Sequence, residues 1–230
     1  MSEYTDLFER LRGQLIVSCQ ALDDEPLHGS IHMAAMARAA LMGGAGGIRA
    51  NGPDDIAAIK QAVPLPVIGI YKQHFPGIEI YITATFDLAR AVVEAGADLV
   101  ALDASDRARP GGITLPDLIA RIHGELGVPV MADTSCMEDA RFAQAAGADL
   151  IGSTLAGYTA HGRPMTPGPD LDYLRALVAE MDRPVIAEGR YHTPEDAAAA
   201  LRLGAHAVVV GGAITRPQEI TRRFIQAISG

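Results

Sequence analysis

The chain has no tryptophan, only two cysteines, and aromatic residues at 5% of its 230 positions. So few rings argue against a platform on which nucleobases stack. Cys19 and Cys136 lie far apart and in no CxxC pattern. That excludes a disulfide framework and suits two reduced thiols in the cytosol. No stretch reaches the roughly 18 apolar residues of a membrane-spanning helix. Met1–Gly13 is polar and charged, without the apolar core of a signal peptide. Positive charge is also scarce: 19 Lys and Arg face 28 Asp and Glu, a net charge of −9. Such a field repels nucleic acid and anionic membranes. The sequence thus predicts a soluble, cytoplasmic protein with neither partner.

What remains is a chain that is 49% hydrophobic with 24 glycines. Its length suffices to bury roughly three quarters of the unfolded surface in one core. One phrase repeats along it. Glu94-Ala95-Gly96-Ala97-Asp98, Ala145-Ala146-Gly147-Ala148-Asp149 and Leu203-Gly204-Ala205-His206 each precede a short apolar run, and Gly43–Gly47 is an earlier cousin. An Ala-rich helix ending at Gly, followed by a buried strand, explains all four. A second phrase, Pro66-Val67-Ile68, Pro129-Val130-Met131 and Pro184-Val185-Ile186, opens strands where proline costs no interior ladder bond.

With Leu15–Ser18 these give eight strands, at about 15–19, 47–50, 66–71, 98–103, 128–133, 149–153, 184–188 and 206–210. Helical segments follow at about 30–43, 53–63, 84–95, 114–126, 137–146, 170–181, 194–203 and 217–228, and a short helix at about 4–12 precedes them. Eight β-then-α units predict an α/β fold, a (β/α)8 TIM barrel with a short N-terminal helix, as one domain over residues 1–230. An open doubly wound sheet would normally carry a glycine-rich phosphate turn after its first strand; Cys19–Asp24 carries none.

A barrel places its chemistry at the C-terminal strand ends. There stand Gln20, Arg49 with Asn51, Lys72, Asp103, Asp133, Ser153 with Thr154, Glu188 with Arg190, and Gly211 with Gly212. Polar residues converging on one mouth predict a catalytic pocket. The last two loops, Glu188-Gly189-Arg190 and Gly211–Arg216, fit an anion: glycine lets backbone N–H groups approach, and Arg216 adds a fork of donors. Lys72 closes a strongly apolar strand, where an ammonium is costly unless paired or shifted in pKa. A lowered pKa makes a lysine a Schiff-base nucleophile or a general base. Glu188, four strands away, faces it across the mouth and suits proton removal and return beside a carbonyl. Asp103, Asp133 and Glu188 could ligate a metal, but no histidine accompanies them at a strand end. Hydrogen bonding to sugar hydroxyls is the reading preferred, with no metal.

These same residues carry a resemblance. Val17–Leu22 with Asp24–Leu27, Gly47–Asn51, Gly69–Lys72, Tyr81–Thr85, Leu102–Arg107, Gly152–Thr159, Ala187–Arg190 and Val210–Pro217 together resemble the N-acetylmannosamine-6-phosphate 2-epimerases, in order and over the whole chain. The resemblance implies a barrel that interconverts N-acetylmannosamine 6-phosphate and N-acetylglucosamine 6-phosphate in sialic acid and aminosugar breakdown. It implies no organic cofactor, and a dimer. It makes Lys72 and Glu188 catalytic. It gives substrate contacts to Gln20, Arg49, Asp133 and Arg216, with Gly189, Gly211 and Gly212 at the phosphate; Arg190 stands at the same mouth.

The expected chemistry is proton transfer at C2 of the open-chain sugar. Lys72 would be neutral through burial and the neighbouring Arg49, Glu188 would assist ring opening or serve the opposite face, and Arg49 would stabilise the enolate oxygen. Asp133 and Gln20 would orient the acetamido group or hydroxyls. Two other readings stay open at this point: a lysine Schiff-base aldolase acting on a phosphorylated keto-acid, and a non-catalytic sugar-phosphate-binding barrel.

Overall fold

Strand side chains alternate between two faces, and here both faces are apolar. The computed structural model describes residues 4–229. Its strands are β1 (Leu15–Cys19), β2 (Gly47–Asn51), β3 (Val67–Ile70), β4 (Leu99–Asp103), β5 (Val130–Asp133), β6 (Leu150–Gly152), β7 (Val185–Glu188) and β8 (Ala207–Val210). They pair in parallel, in chain order, and β8 closes on β1. The expected barrel is therefore present. The helices are α1 (Thr5–Leu11), α2 (Ser30–Met42), α3 (Pro53–Ala62), α4 (Phe86–Glu94), α5 (Leu115–Arg121), α6 (Met137–Ala145), α7 (Leu171–Glu180), α8 (Pro194–Arg202), α9 (Gly212–Thr215) and α10 (Pro217–Ser229).

Alternation divides the core in two. Val17, Ile48, Val67, Val100, Val130, Ile151, Val185 and Val208 point outward under the helices. Ile16, Ile68, Ile70, Leu99, Met131, Leu150, Ile186 and Val209 fill the barrel interior. Phe8 and Leu11 of α1 join this inner cluster. The backbone N–H of Gly13 donates to the carbonyl of His206, and the His206 ring bonds the carbonyl of Phe8, so α1 is tied across the N-terminal end of the barrel. Counting in twos along each strand, Arg49, Asp103, Asp133 and Glu188 share the inward parity of the interior apolar residues, and so does Lys72 if β3 runs on.

Helix starts follow their caps. The side chains of Thr85, Thr114, Asp170 and Thr193 each accept a backbone N–H in the first turn, and Thr193 with Asp196 completes a reciprocal capping box. Gly69 allows close packing outside β3: a Cβ there would lie 2.6 Å from that of Ala97.

Three local expectations need correcting. The helix expected at 114–126 is α-helical only to Arg121; Ile122–Leu126 form a π-helical turn that Gly127 ends in the left-handed conformation, φ 65°. The segment after β8 folds into the extra four-residue α9 before α10. Strand β3 stops at Ile70, and Lys72 instead pairs with Ile82 in an antiparallel bridge.

Candidate active site

That bridge sets the position of Lys72. The chain after β3 doubles back, with Gln73 N–H donating to Tyr81 O and Thr83 N–H to Tyr71 O, both at 2.9 Å. Thr83 sits at φ 44°, a conformation rare for a β-branched residue. Its hydroxyl holds it there, accepting from Tyr71 N–H at 3.0 Å and donating to Ala101 O at 2.7 Å. The Lys72 N–H donates to Asn51 Oδ1 at 2.8 Å. Lys72 thus keeps the inward parity of β3 beyond the strand's end.

The barrel mouth encloses a cavity of about 430 Å³, lined by Gln20, Arg49, Lys72, Tyr81, Glu188 and the loops after β7 and β8, among others. Its floor is an ion-pair network. Arg49 donates from both terminal nitrogens to Asp133, at 3.0 and 2.6 Å, and from Nη1 to Glu188 Oε2 at 2.7 Å. Thr154 donates to the same two carboxylates, at 2.6 and 3.3 Å. The side chains of Arg49 and Asp133 are 1% and 0% exposed. Burial opposes charge on Arg49, but the Asp133 and Glu188 carboxylates overcome it and hold the guanidinium more firmly protonated than usual. Glu188 is pushed up to about 7, first by burial and then by the Asp133 carboxylate, with Arg49 and Lys72 opposing.

Lys72 has the contrary environment. Among the described residues its ammonium makes no hydrogen bond and no ion pair. Burial, then the positive charges of Arg49 and Arg216, lower its pKa to about 8. The pocket therefore holds one acid and one base whose pKa values are both drawn toward neutrality, from β7 and β3, on opposite walls of an eight-stranded barrel.

The other expected site residues fall into three groups. Gln20 is 8% exposed and lines the cavity; its Nε2 donates to Ser18 Oγ at 2.7 Å, and its Oε1 is buried with no protein partner. Gly189, Gly211 and Gly212 line the cavity mouth, and Gly189 takes φ 110°, open only to glycine. The remaining three have other engagements. Asp133 lies behind the cavity lining, with both oxygens on Arg49. Arg49 lines the cavity with both terminal nitrogens on carboxylates, while its Nε is buried without a protein partner. Arg190, in the left-handed conformation at φ 58°, donates to the carbonyls of Gly168 and Ala156 and to Thr166 Oγ1, and its guanidinium lies over the Tyr158 ring. It holds down the loop after β6.

One participant has no counterpart among the expected site residues. Glu25, in the loop after β1, accepts from Arg216 Nη2 at 3.0 Å, Gln218 Nε2 at 2.9 Å and the N–H of Leu22 at 2.7 Å. Arg216 is thus oriented by a carboxylate 191 positions away.

A family model described as "Putative N-acetylmannosamine-6-phosphate epimerase" matches residues 33–230. The chain belongs to the N-acetylmannosamine-6-phosphate 2-epimerase family. A relative of that name from Enterobacter sp. (strain 638) is 52% identical over 220 residues, covering 95% of this chain and 94% of its own. Another, from Caldanaerobacter subterraneus, is 50% identical over 224 residues, covering 97% and 94%. The solved structure of the N-acetylmannosamine-6-phosphate 2-epimerase from Clostridium perfringens superposes with a TM-score of 0.93 at 45% identity, covering 96% of each chain. A thiamine phosphate pyrophosphorylase from Pyrococcus furiosus shares only the fold, with a TM-score of 0.58 at 19% identity. Membership makes this chain a carbohydrate epimerase, and the cavity at the strand ends is the place such an epimerase would work.

Proposed function

We propose that Lys72 and Glu188 interconvert N-acetylmannosamine 6-phosphate and N-acetylglucosamine 6-phosphate by removing the C2 proton and returning one to the opposite face. The observation that carries this reading is the unpaired Lys72 ammonium facing Glu188 across the cavity. In the open-chain sugar the C1 aldehyde acidifies the C2 hydrogen. One group takes that proton and the C–H electrons move into the enolate. The other group donates a proton to C2 from the far wall, and the configuration inverts. Each turnover leaves the pair with its single proton exchanged between sides, so the reverse direction uses the same two groups.

Arg49 acts through the carboxylates it holds: it fixes the Glu188 oxygens and keeps their charge dispersed. The unpartnered Oε1 of Gln20 suits an acetamido N–H. The N–H groups at Gly211 and Gly212, with Gly189 and Arg216, suit the phosphate. Both thiols are free, which agrees with a cytosolic location. Among the described residues no helix is long and apolar enough to cross a membrane. The chain acts as one barrel domain and as a homodimer. Phe224, Ile225 and Ile228 are exposed along α10, which buries no residue against its own barrel; a second copy would cover them.

Proton NMR in deuterium oxide tests the reaction. N-acetylmannosamine 6-phosphate should convert to its epimer and gain deuterium at C2 with the parent enzyme. A Lys72→Met variant that still exchanges C2 at the parental rate would sink the assignment. Reductive trapping of substrate on Lys72 by borohydride would instead favour a Schiff base. Light scattering on the parent and Phe224→Glu checks the dimer, which the variant should weaken.

A further inference from the structure

Beside the catalytic cavity, the start of α6 meets the loop at 157–168. Cys136 caps α6, Asp139 lies in its first turn, and His161 arrives from the loop. A thiol sulfur, a carboxylate oxygen and an imidazole nitrogen from these three lie within 4.8 Å of one another. None of the three lines the catalytic cavity. We propose that Cys136, Asp139 and His161 form a binding site for a zinc-class divalent cation, with water in the fourth position. This inference is independent of the reaction above.

The donor set selects the metal. One sulfur, one nitrogen and one oxygen suit a borderline-soft ion such as Zn²⁺ and do not suit Ca²⁺ or Mg²⁺, which take oxygen cages. The spacing agrees. Asp139 Oδ2 and His161 Nε2 are 3.2 Å apart. Two ligands at about 2.0–2.1 Å from a tetrahedral zinc stand about 3.3 Å apart.

The surroundings are built to hold these groups. Ser135 donates its N–H and its hydroxyl to Asp139 Oδ2, at 3.1 and 2.6 Å, and so orients the carboxylate. Arg163 N–H donates to Ser135 O at 3.1 Å, locking the loop against the turn. Gly162 permits that approach: a Cβ there would lie 2.5 Å from Ser135 Oγ and 2.6 Å from Thr159 Oγ1. Thr159 Oγ1 is buried without a protein partner, a hydroxyl available to a metal-bound water.

Binding is a balanced exchange. In the metal-free protein His161 Nε2 donates to Asp139 Oδ2; on binding, the neutral ring gives up that proton to solvent and takes one at Nδ1, and the metal takes the freed Nε2 lone pair and a carboxylate oxygen of Asp139. Cys136 exchanges its thiol proton for the metal–sulfur bond and releases that proton to solvent. Affinity therefore rises with pH. The consequence is a staple: the loop that Arg190 holds from the pocket side becomes tied to α6 from the outside.

Cobalt(II) titration of the full chain tests this directly. The parent should take one equivalent, with a sulfur-to-cobalt charge-transfer band and the intense visible bands of four-coordination. Cys136→Ser should lose the charge-transfer band although Cys19 remains, and His161→Ala should weaken cobalt and zinc binding by at least about tenfold. Zinc should raise the melting temperature of the parent and leave that of Cys136→Ser unchanged. Circular dichroism and metal-free turnover confirm that both variants fold, since neither residue lines the cavity. Absence of the sulfur band in the parent, or equal metal affinity in parent and variants, overturns the site.

Discussion

Arg49 and Lys72 stand on inward-facing positions of adjacent elements in one pocket, yet their surroundings are opposite. Arg49 is dry, forked onto Asp133 and bonded to Glu188. Lys72 is half-buried and, among the described residues, makes no ion pair with a carboxylate. The first arrangement fixes a charge; the second leaves a proton free to move. A buried cation becomes structure when its counter-ions are complete and chemistry when they are missing. The proposed mechanism uses both, because the paired wall places Glu188 and the unpaired wall supplies its partner.

Removing the unpaired charge should have the largest kinetic effect. Lys72→Met is expected to lower kcat by about 10²–10⁴-fold, measured by coupled turnover or NMR. The same variant should be more stable than the parent. Lys72 titrates near 8 in the folded protein against an ordinary 10.5, so below about 8 the fold bears the full cost of a disfavoured charge. That cost fades as pH rises from about 8 toward 10.5. Urea unfolding should therefore show the variant's advantage at pH 7 and its loss at high pH.

Breaking the paired wall should show mainly in stability. Asp133→Ala leaves Arg49 short of its forked partner and is expected to cost about 3–5 kcal/mol in urea unfolding. A loss under about 1 kcal/mol would mean that the pair contributes little beyond a surface ion pair.

The pH profile joins the two walls. Under the proposed mechanism, turnover needs one proton shared between Glu188, near 7, and Lys72, near 8. The rate should rise as pH passes about 7, peak before about 8 and then fall, whichever group carries the proton. Lys72→Arg should remove the alkaline limb from any residual activity. The smallest effect belongs far from the pocket: Thr193→Ala opens the capping box of α8 and should lower stability by about 1 kcal/mol with kcat unchanged.

The architecture was legible because its signals are local. Gly96, Gly147 and Gly204 end helices, Pro66, Pro129 and Pro184 precede strands, and strand parity aims Arg49, Lys72 and Glu188 inward. The missed features are bonds between distant segments. Glu25 meets Arg216 across 191 positions, and no periodicity links them. Arg190 resembles a substrate ligand in sequence, but its acceptors are mostly backbone carbonyls, which carry no sequence mark. Asp133 is at a strand end as expected, yet the guanidinium beneath the cavity takes both its oxygens. Which residues gather could be read in advance; which of them have a free hand depends on partners that only folding brings.

The N-terminal helix has a bearing on kinetics that lies far from its own position. Among the described residues, Phe8 and Leu11 pack into the bottom of the barrel, and the hollow lined by Lys72 and Glu188 lies at the opposite end, at the top. The two epimers must enter and leave by the same passage and rest against the same walls. Each therefore competes with the other for the same site, and net flux runs in the direction that brings their ratio outside the door toward equilibrium.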